Sequence, residues 1–132
     1  MSKFTVGEIA YLKSQQIGRL ATVNSKGEPH VVPVGFWYNA EFDAIDIGGF
    51  GMGKSKKFRD AARRKYVAFV VDGLGPDGKQ RGIEVRGPAE TFSTGGEQLR
   101  PGFDQEFIRV FPTRITCWGI DSAPYDVTGR SV

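Results

Sequence analysis

The chain is poor in the residues that build metal and nucleophile sites. Its 132 residues hold one cysteine, Cys117, and one histidine, His30. A lone cysteine excludes an internal disulfide framework and a Cys-rich zinc site. A lone histidine excludes a His-cluster metal site within one chain, so no metal is expected. No apolar run approaches the roughly 18 residues of a transmembrane helix. The start, MSKFTVGE, has no apolar leader core, so neither a signal peptide nor a membrane partner is expected, and a cytoplasmic location is. Charge of one sign is also scarce: 18 Lys and Arg against 15 Asp and Glu leave +3. That balance permits an anionic ligand, and no nucleic acid partner is expected from it. At about 100–200 residues per domain, residues 1–132 make one domain.

Glycine is abundant instead, with 18 residues. Glycine serves where the backbone needs positive φ or close approach, so short strands and tight turns are expected rather than a helical bundle. Thr5 and Glu8 have the spacing of a capping box, which predicts a helix over Thr5–Ser14. Ile17–Val23 and Pro29–Tyr38 read as strands around the turn Asn24-Ser25-Lys26-Gly27, and Ala44–Ile47 follows after another short connection. Links this short allow only antiparallel pairing. A glycine-rich loop, Gly48–Gly53, leads into a predicted helix, Lys54–Arg64. Tyr66–Val71 and Gly82–Phe92 are further strands, with Pro88 marking an edge or a bulge. Phe103, Phe107 and Phe111 recur every four residues and predict a short helix. Arg114–Ile120 is the last expected strand, and residues 121–132 read as a polar tail. Six strands joined mostly by hairpins, with two or three short helices, should close into a small antiparallel barrel.

The stretch Gly48-Gly49-Phe50-Gly51-Met52-Gly53-Lys54-Ser55 matches the phosphate-loop pattern G-x-x-x-x-G-K-S/T. That pattern needs a parallel sheet with helical crossovers, whereas the strands before it are joined by hairpins. Nucleotide binding at Gly48–Ser55 is therefore an outside reading. The local physics stands without it: a helix start offers free N–H groups and a positive dipole end, and glycines let an anion approach. Lys54, Ser55, Lys57 and Arg59 add donors. Residues 54–65 hold seven cations, opposed only by Asp60. One phosphate monoester does not need so many; some are solubilising, and the rest suit a longer anionic ligand.

Several segments carry a family likeness in order along the chain. Gly18-Arg19-Leu20-Ala21-Thr22-Val23, Gly27-Glu28-Pro29-His30-Val31-Val32-Pro33-Val34 and Phe36-Trp37-Tyr38 resemble the opening of the pyridoxamine-phosphate-oxidase-like flavin-binding split barrels. Ser55-Lys56-Lys57-Phe58-Arg59-Asp60 resembles their phosphate motif, Ser/Thr-x-Lys-x-Arg-Asn/Asp. Val85-Arg86-Gly87-Pro88-Ala89-Glu90 and Pro112–Ile120 are similar to two of their strands. The short chain looks most like the actinobacterial branch that uses a deazaflavin, coenzyme F(420), in place of FMN. The resemblance implies a mainly β, six-stranded antiparallel split barrel. It also implies a homodimer with cofactor sites at the subunit interface, and hydride transfer from the reduced deazaflavin to an unsaturated apolar small molecule. FMN-dependent oxidoreduction and non-catalytic carriage of a flavin are the alternatives. By position, Ser55, Lys57 and Arg59 would hold the phosphate with Lys54 and Lys56 nearby. The strand Val32-Pro33-Val34-Gly35-Phe36 would lie under the ring, and Trp118 or the C-terminal strand of the partner subunit would wall the pocket. Asp60 stands where Asn is common, and Gly82–Arg86 lacks the fuller pattern of the true pyridoxamine phosphate oxidases.

In such chemistry the cofactor carries the difficult step and few catalytic side chains are required. No Ser-His-Asp set or telling carboxylate pair is present, and no catalytic residue is singled out. His30 reads as a structural strand-end histidine and Cys117 as a buried thiol. Trp37, Tyr38 and Trp118 fit a stacking role and a core or dimer role equally.

Overall fold

A computed structural model describes residues 1–132. Eight strands and two α-helices follow in the order α1 (Val6–Ser14), β1 (Ile17–Val23), β2 (Pro29–Asn39), β3 (Ala44–Gly48), α2 (Lys56–Arg64), β4 (Tyr66–Leu74), β5 (Gln80–Phe92), β6 (Phe107–Val110), β7 (Arg114–Trp118) and β8 (Val127–Ser131). Short 3-10 turns occupy Met52–Lys54 and Gly96–Gln98. Every strand pairing is antiparallel. β1, β2, β3, β6, β5 and β4 follow one another around a ring that the β4–β1 pairing closes. The result is a closed six-stranded barrel, with β7 and β8 continuing outward from β5. The parallel sheet that a phosphate-loop enzyme requires is not this architecture, and the outside reading of Gly48–Ser55 falls with it.

Two segments differ from expectation. Phe103–Phe111 is not a helix: Phe107-Ile108-Arg109-Val110 is a buried strand, inserted between β3 and β5. Its β-branched residues pair on both sides, and that tertiary pairing outweighs a four-residue aromatic spacing. β6 therefore completes the barrel, while the strand expected last, now β7, lies outside it. Residues 121–132 are also not a plain tail, since Val127–Ser131 pairs along the whole of β7.

Pro88 lies within the long strand β5, where a proline is unexpected. Its neighbours explain it. β5 pairs with β7 up to Arg86 and with β6 from Ala89 onward. The corner between β6 and β7 passes over Gly87 and Pro88, with the Phe111 N–H donating to the Pro88 carbonyl at 2.9 Å and the Thr113 N–H to the Arg86 carbonyl at 2.9 Å. A Cβ at Gly87 would stand 1.8 Å from the Phe111 oxygen, so only glycine permits the crossing.

The barrel is filled by Leu20, Ile45, Ile47, Phe69, Ile83, Val85 and Ile108, each at most 1% exposed. At roughly 1.5–3 kcal/mol per buried side chain of this size, these residues supply the main folding force. Outside the barrel, α1 is tied to the C-terminal strand by charge. Thr5 and Glu8 form the predicted capping box. The buried Glu8 carboxylate also accepts two hydrogen bonds from Arg130 of β8, at 2.6 and 2.8 Å.

Burial of Glu8 pushes its carboxyl upward, but the Arg130 hydrogen bonds and the Thr5 N–H outweigh it, and the net shift is below the ordinary value. A depressed carboxyl contributes stability above its unfolded pKa of about 4.3, and that stability is lost as pH falls through the folded value. Glu8→Gln should therefore melt at a lower temperature than the parent at pH 7. Its Tm should also fall less steeply than the parent's between about pH 5 and 3. Parallel acid limbs in a Tm-versus-pH series would contradict this.

Candidate functional site

The site is built on one row of residues across three strands. Ile17 of β1 stands opposite Gly35 of β2, and Gly35 stands opposite Gly48 of β3. Two facing glycines leave this part of the outer barrel surface without side chains. The two are not equivalent. A Cβ at Gly48 would stand 2.8 Å from the Phe103 ring, whereas one at Gly35 would touch Phe103 and Trp37 only at ordinary contact distance, 3.7–3.9 Å, beside a solvent-filled space. That space is a groove of about 820 Å³, within the range of roughly 300–1,000 Å³ usual for small-molecule sites.

Pro33, Gly35 and Trp37 line the groove from β2. Strand alternation separates the expected ring platform into two sets. Val34 borders the groove but is buried in the barrel core, and Val32 packs against that core. The outward partners, Pro33 and Gly35, form the floor. One wall is aromatic: Phe103 meets Trp37 edge-on at 5.5 Å and Phe50 edge-on at 4.9 Å. Phe50 belongs to the glycine loop and Phe103 to the 95–104 loop. Backbone bonds lock the two loops together, with the Asp104 N–H on the Gly49 carbonyl at 3.0 Å and the Gly53 N–H on Asp104 Oδ2 at 3.3 Å. The opposite side is the end of α1 and its exit, Leu12 to Ile17.

α2 supplies the charge. It begins two residues later than the sequence pattern predicts, because Ser55 is extended and acts as its N-cap. The Ser55 hydroxyl accepts the Phe58 N–H at 3.3 Å and donates to the Met52 carbonyl at 2.6 Å. Capping leaves the first amides of the helix free, as at any helix start. Asp60 and Ala61 face the barrel; Lys56 and Arg59 face solvent, as does Lys54 in the preceding turn. Lys57 alone of the expected phosphate residues lines the groove. It is half-buried, no carboxylate lies within 4.0 Å of its ammonium, and burial lowers its pKa. A desolvated cation without a counter-charge is costly and is stabilised by any anion that enters.

Other expected residues lie elsewhere. The Trp118 ring covers Gly82 of β5, where a Cβ would stand 2.5 Å from it, and it does not line the groove of its own chain. His30 stands opposite Thr22, and its Nδ1 and the Thr22 hydroxyl are both buried without a hydrogen-bond partner. Cys117 is buried, and burial raises its thiol pKa. Two arginines in strand interiors, Arg19 and Arg86, also stay out of the groove: they point outward and pair with Asp72 at 3.1 Å and Glu84 at 3.4 Å. Sequence reasoning missed Phe50, Arg100, Phe103 and Lys13, which all line the groove. The Pro101-Gly102 pair was the available sequence sign that Phe103 follows a turn rather than joining a helix, and Gly102 is indeed left-handed at φ +89°.

A closed barrel whose glycine-floored groove is flanked by a capped basic helix defines a split-barrel ligand-binding protein, and comparison with known proteins narrows the class. The family model for pyridoxamine 5'-phosphate oxidase matches residues 8–115. A 5a,11a-dehydrotetracycline/5a,11a-dehydrooxytetracycline reductase of Streptomyces rimosus is 46% identical over 120 residues, covering 89% of this chain and 84% of that protein. Among solved structures, a conserved hypothetical protein of Mycobacterium tuberculosis superposes with a TM-score of 0.67 at 20% identity, covering 87% of this chain and 84% of the other. An FAD binding protein of Mycobacterium smegmatis superposes with a TM-score of 0.65 at 23% identity, covering 89% and 96%. The two structural likenesses establish the fold. The chain belongs to the pyridoxamine 5'-phosphate oxidase-like family and is an oxidoreductase of it. No helix is long and apolar enough to cross a membrane.

Proposed function

We propose that the protein is a reductase that binds a deazaflavin, coenzyme F(420), and reduces a conjugated, apolar small molecule. The unpaired Lys57 ammonium beside the glycine floor carries this reading, since a flat ring with an anionic side arm needs both features. Lys57 would meet the phosphate, with the free amides at the start of α2, and Lys54, Lys56 and Arg59 would attract the remaining negative charge of the tail. Pro33 and Gly35 would lie under the ring, and Trp37, Phe103 and Phe50 would exclude water along one side. When bound and reduced, the cofactor supplies a hydride equivalent. The acceptor class comes from the Streptomyces rimosus relative, whose name specifies dehydrotetracyclines. A groove of about 820 Å³ supports an enzyme with room for an acceptor rather than a closed carrier. FMN is the alternative cofactor.

The protein is proposed to act as a homodimer. Ile17 and Val31, 57% and 64% exposed, lie with Pro33 on the outer sheet face beside the groove. A second copy on this face would cover them and extend the groove wall. Val31→Arg should convert a dimer to monomers in light scattering, and an unchanged mass would remove this interface.

Binding of coenzyme F(420) and of FMN, measured side by side, tests the cofactor. Lys57→Ala should weaken binding by roughly 10- to 150-fold, the value of a charge-assisted hydrogen bond of about 1.5–3 kcal/mol. Binding of FMN alone would replace the deazaflavin, and binding of neither would overturn the proposal.

A further inference from the structure

Lys57 accounts for one of three cations in the groove; Lys13 and Arg100 remain, and the lining contains no Asp, Glu, His or Cys. Lys13 has a structural role already, because it lies in the last turn of α1, where a cation complements the helix dipole. Arg100 has none. It is exposed, and no carboxylate lies within 4.0 Å of its guanidinium. Nearby acidic groups are engaged elsewhere: Glu97 accepts the Gly95 N–H at 3.2 Å and Asp104 accepts the Gly53 N–H at 3.3 Å.

The backbone around Arg100 is fixed. The Phe103 N–H donates to the Arg100 carbonyl at 3.2 Å, and Gly102 between them is left-handed at φ +89°. Phe103 is 8% exposed and anchors the turn against the glycine floor. An unpaired, planar cation is thus carried on a hydrogen-bonded turn beside the surface on which a flat ligand would rest. A guanidinium presents its donors in a fixed fork, which suits an oxygen acceptor better than a mobile ammonium does.

Reduction of a conjugated ketone by hydride addition states what such a donor does. One C–H bond forms at the alkene carbon, and the π pair shifts to the carbonyl oxygen. The reduced cofactor supplies the hydride by breaking its own C–H bond and gives up its second hydrogen as a proton to solvent, while the resulting enolate takes one proton from solvent to give the saturated ketone. Negative charge appears on that oxygen in the transition state. No carboxylic acid or imidazole lines the groove, and the one phenol that does, Tyr38, already donates its hydroxyl to Asp43 at 2.8 Å, so an unengaged cation is the suited donor. We propose that Arg100 is the oxyanion-stabilising catalytic residue, donating to the acceptor's carbonyl oxygen, and that the acceptor is a flat ring ketone conjugated to the reducible double bond. This rests on the reductase reading above.

Arg100→Gln tests it in the full-length protein with coenzyme F(420) and 5a,11a-dehydrotetracycline. The variant should lose on the order of 100- to 1,000-fold in kcat, as removal of one oxyanion donor does. Its cofactor Kd should change far less than its kcat, because the proposed donor acts on the acceptor's oxygen in the transition state. Arg100→Lys should recover part of the rate. A second readout needs no turnover: a fluorinated nitrophenol serves as an enolate mimic, observed by fluorine NMR with and without oxidised cofactor. The parent should favour the phenolate, lowering the bound phenol's pKa, and Arg100→Gln should abolish that preference. Unchanged kcat, or a loss confined to cofactor Kd, overturns the proposal. So does a parent with no preference for the phenolate. A parent that shows the preference and loses it with Arg100→Gln, yet reduces no acceptor, keeps the anion subsite and overturns the reductase reading.

Discussion

Arg109→Met should destabilise the protein by about 3–5 kcal/mol, the cost of leaving a buried carboxylate without its cation. Arg109 lies in β6 and Asp46 opposite it in β3. The two are joined by hydrogen bonds of 2.7 and 3.1 Å, and Asp46 takes a third from Asn39 at 2.9 Å. Asp46 is 3% and Arg109 8% exposed. The guanidinium carbon lies 4.2 Å from the Phe42 ring centroid and 4.9 and 5.3 Å from those of Phe92 and Phe107, so solvent cannot replace the lost partner. In a chain of this size the loss corresponds to a fall of at least about 10 °C in Tm. Thermal and urea unfolding measure it. The pair itself contributes far less than its disruption costs. Asp46→Leu combined with Arg109→Met should therefore recover most of the stability, since apolar replacement of a whole buried ion pair is often neutral. A double variant as unstable as the single one would refute this account.

Gly35→Val should abolish cofactor binding while leaving the fold intact. A Cβ at this position has no neighbour nearer than 3.7 Å, so the barrel itself does not resist it. Its branches would instead rise from the floor of the groove and displace a flat ligand by more than 1 Å. A ring held off the floor loses the close contacts that would seat it there, because attraction between non-bonded atoms falls steeply with a gap of that size. Titration with coenzyme F(420) should show that loss, with circular dichroism and Tm close to the parent. Gly48→Val is the contrast: its Cβ would collide with Phe103 at 2.8 Å and Leu99 at 3.0 Å, so it should lower Tm. If Gly35→Val binds the cofactor as tightly as the parent, the ring does not rest on this floor.

Which parts of this were legible in the chain follows from the range of the forces involved. The α1 capping box, the β1–β2 hairpin, the existence of the α2 helix after the glycine loop and the concentration of cations in it are local. Each depends on residues within a few positions, and each could be read directly from their spacing. The order of motifs along the chain also carried the family likeness. Non-local decisions were not legible. Phe107–Val110 is a strand because β3 and β5 flank it, and nothing within the segment announces those neighbours. Val127–Ser131 pairs because β7 presents a free edge and because Arg130 finds the buried Glu8, which is 122 residues away.

The site divides in the same way. Sequence alone determined that an anion-attracting helix start follows a hairpin barrel, because caps, turns and charge are properties of adjacent residues. Only the tertiary structure decided that Lys57, and not Lys54 or Lys56, enters the groove. It also decided that Pro33 and Gly35, and not Val32 and Val34, form the floor, and that Phe50, Arg100 and Phe103 close one wall. Those choices depend on strand register, helix phase and the packing of two loops, and each is settled by contacts between residues far apart in the chain.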